Sequence, residues 1–226
     1  LDTLSYIIAV EEIARIDASQ AATLAAHNSL GISPIYEFGT ESQKMKYLPG
    51  LCTGDALWSF GLTEPGAGSD SRGTKTTARL DGGEWIINGS KTFITNGSAS
   101  ISKGCTVQAV TDDVDGKKSF TTILLESGTK GFKQVCMHGK MMWRASDTSE
   151  LFFDDCRVPE ENILGQVGQG SKIMLSTLDS GRLSIAAMGL GCARGAFELA
   201  MNYAQERQQF GRVIPKFQIN AFKLAD

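Results

Sequence analysis

The sequence predicts an α+β protein with a helical N-terminal domain, a middle antiparallel β-sandwich or barrel domain, and the start of a C-terminal helical bundle. Three observations predict it. Apolar residues recur at helical spacing before about residue 55. Short β-rich runs separated by Asp-Gly and Asn-Gly pairs then follow to about residue 160, and beyond Gly168-Gln-Gly170 the helical period returns for more than thirty residues. The domains implied are 1–55, 56–160 and 161–226.

In the first segment Leu4, Ile7 and Ile8 alternate with Glu11, Glu12 and Arg15 in a helical pattern, which small residues from Ala21 to Ala26 continue. Thr40-Glu-Ser-Gln43 has the form of a capping box, and Leu48-Pro49-Gly50 reads as a stop, so one more short helix lies between them. In the middle segment Thr74–Leu80, Trp85–Ile87, Lys91–Thr95, Cys105–Val110 and Phe120–Leu125 read as strands. Asn88-Gly89 suits a tight turn, because both central positions of such a turn need positive φ, and predicts a hairpin between Trp85–Ile87 and Lys91–Thr95. Asp81-Gly82-Gly83 and Asp115-Gly116 are further turn signals. The long helix after Gly170 spans roughly 45 Å if it reaches thirty residues at about 1.5 Å each. Gly211 breaks it, and a last helix starts at Phe217. That helix meets no stop signal before Asp226 and residue 1 opens without methionine, so a fragment of a longer chain is expected.

Composition narrows the function classes. The 226 residues carry 22 Lys plus Arg against 25 Asp plus Glu, a net charge of −3, which gives no basic field for nucleic acid. No uncharged apolar run reaches the roughly 18 residues of a membrane span, and no signal-peptide succession opens the chain. Cys52, Cys105, Cys136, Cys156 and Cys192 are odd in number and widely spaced, which suits free thiols. His27 and His138 have no second ligand nearby, so metal is not expected, and His27 reads as a satisfied interior or surface residue.

Two glycine motifs are set aside. Gly189-Leu-Gly191-Cys-Ala-Arg-Gly195 is one residue too long for a dinucleotide fingerprint and follows no strand, so close helix packing explains it better. Gly89-Ser-Lys91-Thr92 lacks the earlier glycine of a phosphate loop. A third motif has more to offer. Gly61-Leu-Thr-Glu-Pro-Gly-Ala-Gly-Ser-Asp70 follows a strand and concentrates glycines, amides and hydroxyls in one loop, where Thr63 and Ser69 can donate to an anionic or planar ligand.

This loop, extended to Arg72-Gly73, resembles the flavin loop of the acyl-CoA dehydrogenase family. Trp85–Gly97, Trp143-Arg-Ala-Ser-Asp-Thr-Ser-Glu150 and Glu206-Arg-Gln-Gln-Phe-Gly211 are similar to that family in the same order, so the resemblance covers the whole chain. It implies a flavoenzyme that binds FAD between the β domain and the bundle. By the resemblance, Phe60, Leu62, Thr63, Gly68 and Ser69 line the flavin or its pyrophosphate, and Phe93, Ile94 and Thr95 flank the ring, with phenylalanine at a position where the family often has tryptophan. Arg207, Phe210 and Gln218 reach the FAD of a neighbouring subunit in a homotetramer or homodimer. Ser69, Asp179 and Arg182 contact acyl-CoA, and Thr23 and Ala26 lie near the acyl tail, with butyryl as the first substrate expected. Without the family, Asp179 and Arg182 read as a surface ion pair.

The implied reaction is dehydrogenation of a short-chain acyl-CoA to the trans-2-enoyl-CoA, with electrons passed to electron-transfer flavoprotein. Some members place the catalytic glutamate in the slot before the arginine matching Arg182, which here is Gly181. The base is therefore expected beyond Asp226, with no catalytic residue in this chain. Glu64 is read as a structural carboxylate of the loop, and Arg144, Asp147 and Glu150 as an ion-pair cluster. An acyl-CoA oxidase-type relative and a non-catalytic flavin- or CoA-binding scaffold are the alternatives. The compartment implied is bacterial cytoplasm or mitochondrial matrix.

Overall fold

A computed structural model describes residues 2–226. Five helical elements come first: α1 (Thr3–Ile16), α2 (Ala18–Ala25), a π-helical turn (Ala26–Ile32), α3 (Ser33–Phe38) and α4 (Glu41–Cys52). Thr40 caps α4 as expected, accepting from the Gln43 amide while the Gln43 side chain accepts from the Thr40 amide. The stop at Leu48-Pro49-Gly50 does not hold, because α4 runs through Pro49 to Cys52. Pro49 is tolerated late in the helix, where Leu51 still packs into a cluster with Ile35, Trp58, Leu124 and Ile173.

The middle of the chain builds β1 (Leu57–Gly61), β2 (Thr77–Asp81), β3 (Glu84–Thr95), β4 (Ser102–Val114), β5 (Lys117–Glu126), β6 (Phe132–Cys136), β7 (Thr148–Pro159) and β8 (Ile163–Leu164). They form one sheet in the order β6-β7-β3-β2-β4-β5-β8, with β1 beside β4. Most pairings are antiparallel, and β1–β4 and the single Thr77↔Val110 contact are parallel. Residues of the β3–β7 pair (Ile87, Leu151, Cys156) and of the β4–β5 pair (Cys105, Val107, Leu125) meet in one buried cluster, so the sheet folds over on itself.

The predicted hairpin at Asn88-Gly89 is absent, and β3 passes straight through both residues. The Asn88 side chain is instead committed to β7, donating to Asp155 Oδ1 and accepting from the Asp155 amide, each at 2.9 Å. Gly89 (φ +140) marks a register shift in the β3–β7 ladder, and a Cβ there would lie 2.6 Å from Thr76 Oγ1. The tight turns are Gly82-Gly83 and Asp115-Gly116, all four residues at positive φ.

Helix α5 (Gly170–Glu206) has 37 residues, about 55 Å at 1.5 Å per residue, and is followed by the strands β9 (Gln208–Gln209) and β10 (Arg212–Val213) and by α6 (Gln218–Ala225). A Cβ at Gly191 or Gly195 would collide with the carbonyl oxygen of Glu11 or Arg15, so these glycines let α5 lie against α1. Arg194 reaches Glu11 at 3.0 Å and Glu12 at 2.7 Å, and Arg15 reaches Glu198 at 2.9 Å, across the same contact. By length and composition alone α5 is apolar enough to cross a membrane, which the sequence reading excluded. It packs on α1 and on the sheet and carries Lys172, Asp179, Arg182, Arg194 and Glu198 along its length, so a single helix of this kind is weak evidence for a membrane span.

Candidate functional site

The loop after β1 is fixed from beneath. Glu64 is buried and accepts hydrogen bonds from the Lys75 amide at 2.7 Å, the Thr76 amide at 3.0 Å and Lys91 Nζ at 2.8 Å. Lys91, fully buried on β3, also donates to the Leu62 carbonyl at 3.2 Å. Burial pushes the Glu64 carboxyl up, but the Lys91 charge and the donated hydrogen bonds outweigh it and leave the carboxyl below its ordinary range. Burial pushes the Lys91 ammonium down, with Glu64 opposing in part. The structural role expected of Glu64 is thus visible in its partners. Asp147 is different, because it accepts from the Ser98 hydroxyl and from the amides of Ser98 and Ala99, and forms no ion pair with Arg144 among the described residues. The Ser98 and Ala99 amides, in the turn between β3 and β4, take the carboxylate in place of the exposed Arg144 guanidinium, so the cluster of Arg144, Asp147 and Glu150 does not form.

Above this support lies a cavity of about 410 Å³ between the loop, the end of β3, the π turn and α5. Its wall gathers Phe60, Leu62, Thr63, Gly68, Ser69, Phe93, Ile94 and Thr95, so eight residues predicted to surround a flavin share one surface. Phe93 holds a left-handed backbone (φ +59) and is 65% exposed, presenting its ring to this space rather than to the core. A Cβ added at Gly68 would meet nothing within 4 Å, and among the described residues the Gly68 and Ser69 amides donate to no group of the chain.

A second cavity of about 660 Å³ adjoins the first and shares Ala26, Leu30, Thr95, Leu178 and Arg182 with it. Its remaining wall is mostly apolar and small: Ala22, Ala25, Ile185 and Ala186, with Ser29, Gly181 and Trp143. The sequence reading missed most of these, although both stripes were written in it. Residues 22, 25, 26, 29 and 30, like 178, 181, 182, 185 and 186, follow the i, i+3, i+4, i+7, i+8 pattern of one helix face. Trp143 carries no such signal, because it comes from a loop.

The predicted acyl-CoA contacts divide. Arg182 lies on both cavity walls, paired at 3.4 Å with Asp179, and both side chains are exposed. Ala26 lies on both walls as well. Thr23 lies on neither, since its hydroxyl bonds Ser146 Oγ at 3.2 Å and its carbonyl accepts from Asn96. His27 is buried beneath, accepting from the Trp58 amide at Nδ1 and so donating from Nε2 to the Leu51 carbonyl, a satisfied interior histidine as expected. Arg207, Phe210 and Gln218 lie outside both cavities; Arg207 is about 37 Å along α5 from Arg182.

Family models match each part of the chain: the acyl-CoA dehydrogenase N-terminal domain at residues 1–55, the middle domain at 59–156 and the C-terminal domain at 168–226. The chain belongs to the acyl-CoA dehydrogenase family. It is 49% identical over 226 residues to the short-chain specific acyl-CoA dehydrogenase of Megasphaera elsdenii, covering all of this chain and 58% of that one. Among solved structures it is similar to a chain in the electron transferring flavoprotein study of Acidaminococcus fermentans, with TM-score 0.95 and 48% identity over 100% of this chain and 59% of that one. A glutaryl-CoA dehydrogenase from Mycobacterium smegmatis in complex with FADH2 matches with TM-score 0.93 and 37% identity, over 100% and 56%. The chain therefore spans somewhat over half the length of these relatives.

Proposed function

We propose that the chain is part of an FAD-dependent enzyme that dehydrogenates a short-chain acyl-CoA to its trans-2-enoyl-CoA and passes electrons to electron-transfer flavoprotein. The carrying observation is the pair of joined cavities, one faced by an aromatic ring, free amides and hydroxyls, the other lined by small apolar side chains. The first fits a flavin, because Phe93 offers a face to a planar ring and the Gly68 and Ser69 amides offer donors to its oxygens or pyrophosphate. When bound, FAD supplies the hydride acceptor. The similarity to a short-chain specific acyl-CoA dehydrogenase favours a short acyl group, and the similarity to the Acidaminococcus fermentans chain favours the flavoprotein partner.

In this reading the division 1–55, 56–160 and 161–226 puts the cofactor between the middle and C-terminal domains. The chain's residues bind and orient. Thr63, Ser69 and Thr95 supply hydroxyls around the ring, Ile94 and Leu62 exclude water from it, and Arg182 holds the polar part of acyl-CoA at the mouth shared by the cavities, with Asp179 orienting it. Arg207, Phe210 and Gln218 serve the FAD of a neighbouring subunit in a homotetramer or homodimer. Neither cavity wall contains an aspartate or glutamate. In this reading the base that removes the α-proton comes from outside residues 2–226, and the lack of a carboxylate on either wall supports the expectation that this stretch alone does not turn over.

Gly68→Val tests the cofactor reading. The new side chain meets open space rather than protein, so the fold should persist while FAD affinity falls at least tenfold, by flavin fluorescence titration. Gly66→Ala, also facing open space but off the wall, should bind FAD normally. Equal affinity in both variants would remove the flavin from this cavity.

A further inference from the structure

One wall of the second cavity comes from neither helix. Trp143 stands on the segment between β6 and β7, and its indole leaves the β domain to pack against the buried cluster of α1, α2 and α5 that contains Val10, Ala22 and Met188. Its backbone is left-handed (φ +51), an unfavourable conformation for an aromatic residue that persists only where the surroundings enforce it. Those surroundings are visible. The Ser146 amide donates to the Trp143 carbonyl at 3.1 Å and closes the turn, Lys140 donates to the Ser146 carbonyl, and two side chains of α2 hold the segment from below: Gln20 donates to the Ala145 carbonyl and Thr23 bonds Ser146 Oγ.

The place of the ring gives it a use. Ala26, Leu30 and Leu178 mark the junction of the two cavities, whereas Trp143 belongs to the part of the second that the first does not share, with Ala22, Ala25 and Ile185. There the helices supply mainly alanines and an isoleucine, so bulk is the main means of discrimination and the indole is the largest side chain present.

We propose that Trp143 sets the length of acyl chain that the second cavity admits, and that Thr23 is a positioning residue for the loop that carries it. This rests on the acyl-CoA reading above. The test uses the full-length protein loaded with FAD and measures butyryl-, hexanoyl- and octanoyl-CoA by calorimetric affinity and by kcat/KM. Trp143→Ala should raise the octanoyl-to-butyryl ratio at least about tenfold in both readouts, and Trp143→Phe should change it little. Should the alanine variant fold poorly, Trp143→Leu removes the same ring width and carries the same expectation. Thr23→Val should move the ratio in the same direction, and Thr23→Ser, which keeps the hydroxyl, should restore it. An unchanged ratio in a Trp143 variant that still binds butyryl-CoA overturns the proposal. If the unsubstituted protein binds none of the three thioesters, the acyl-CoA reading itself fails and takes the proposal with it.

Discussion

The residue that anchors the loop after β1 is Glu64, a carboxylate on which the Lys75 and Thr76 amides and the Lys91 ammonium converge. Removing one partner of such a buried pair leaves the other charge unpaired, so Lys91→Met should cost about 3–5 kcal/mol in chemical denaturation. The pH dependence follows from the lowered carboxyl. Above the ordinary value of 4.5 Glu64 is ionised whether the chain is folded or unfolded, and its stabilisation is fully present. As pH falls below that value the unfolded chain takes up the proton first, and the stabilisation is lost as pH passes through the lower folded value. Glu64→Gln should therefore flatten the acid limb of stability below about pH 4.5; an acid limb as steep as in the unsubstituted chain would place the titrating group elsewhere. Glu64 could be singled out from the sequence as a loop carboxylate. Its partner Lys91 could not, because the phosphate-loop-like Gly89-Ser-Lys91-Thr92 gives no hint that the lysine turns inward.

At the scale of elements, the contact between α1 and α5 depends on absent side chains. Gly191→Ala places a methyl against the Glu11 carbonyl and should destabilise by about 1–3 kcal/mol. Gly189→Ala, on the same helix but in open space, should instead stabilise by up to about 1 kcal/mol through helix propensity. Paired thermal melts read both signs, and equal shifts would contradict the close packing. The glycine run was legible as helix packing because it lacked a preceding strand. The Asn88-Gly89 hairpin was misread for a reason of the opposite kind: local turn chemistry favoured it, but the long-range bonds from Asn88 to Asp155 and the crowding of Gly89 by Thr76 gave both residues work inside β3. Helix periodicity, capping boxes and two-residue turns are local and can be read. Strand pairings such as parallel β1–β4 join distant residues and leave no local mark.

Over the whole molecule, helices α2 and α5 and the folded sheet enclose two cavities that meet at Ala26, Leu30, Thr95, Leu178 and Arg182. The first was legible from the loop motif and from its resemblance to a family; the second was visible only once two helix stripes faced each other across it. Trp143 was visible in neither way, since a loop residue's reach depends on what its neighbours hold. The central claim is that these cavities take a flavin and an acyl thioester while no carboxylate of residues 2–226 lines either of them. The most direct measurement is an anaerobic titration of the FAD-loaded 226-residue chain with butyryl-CoA, following the flavin absorbance band. The band should shift as the thioester binds and remain oxidised. Bleaching would contradict the account, because it would require a base within these residues that the cavity walls do not contain.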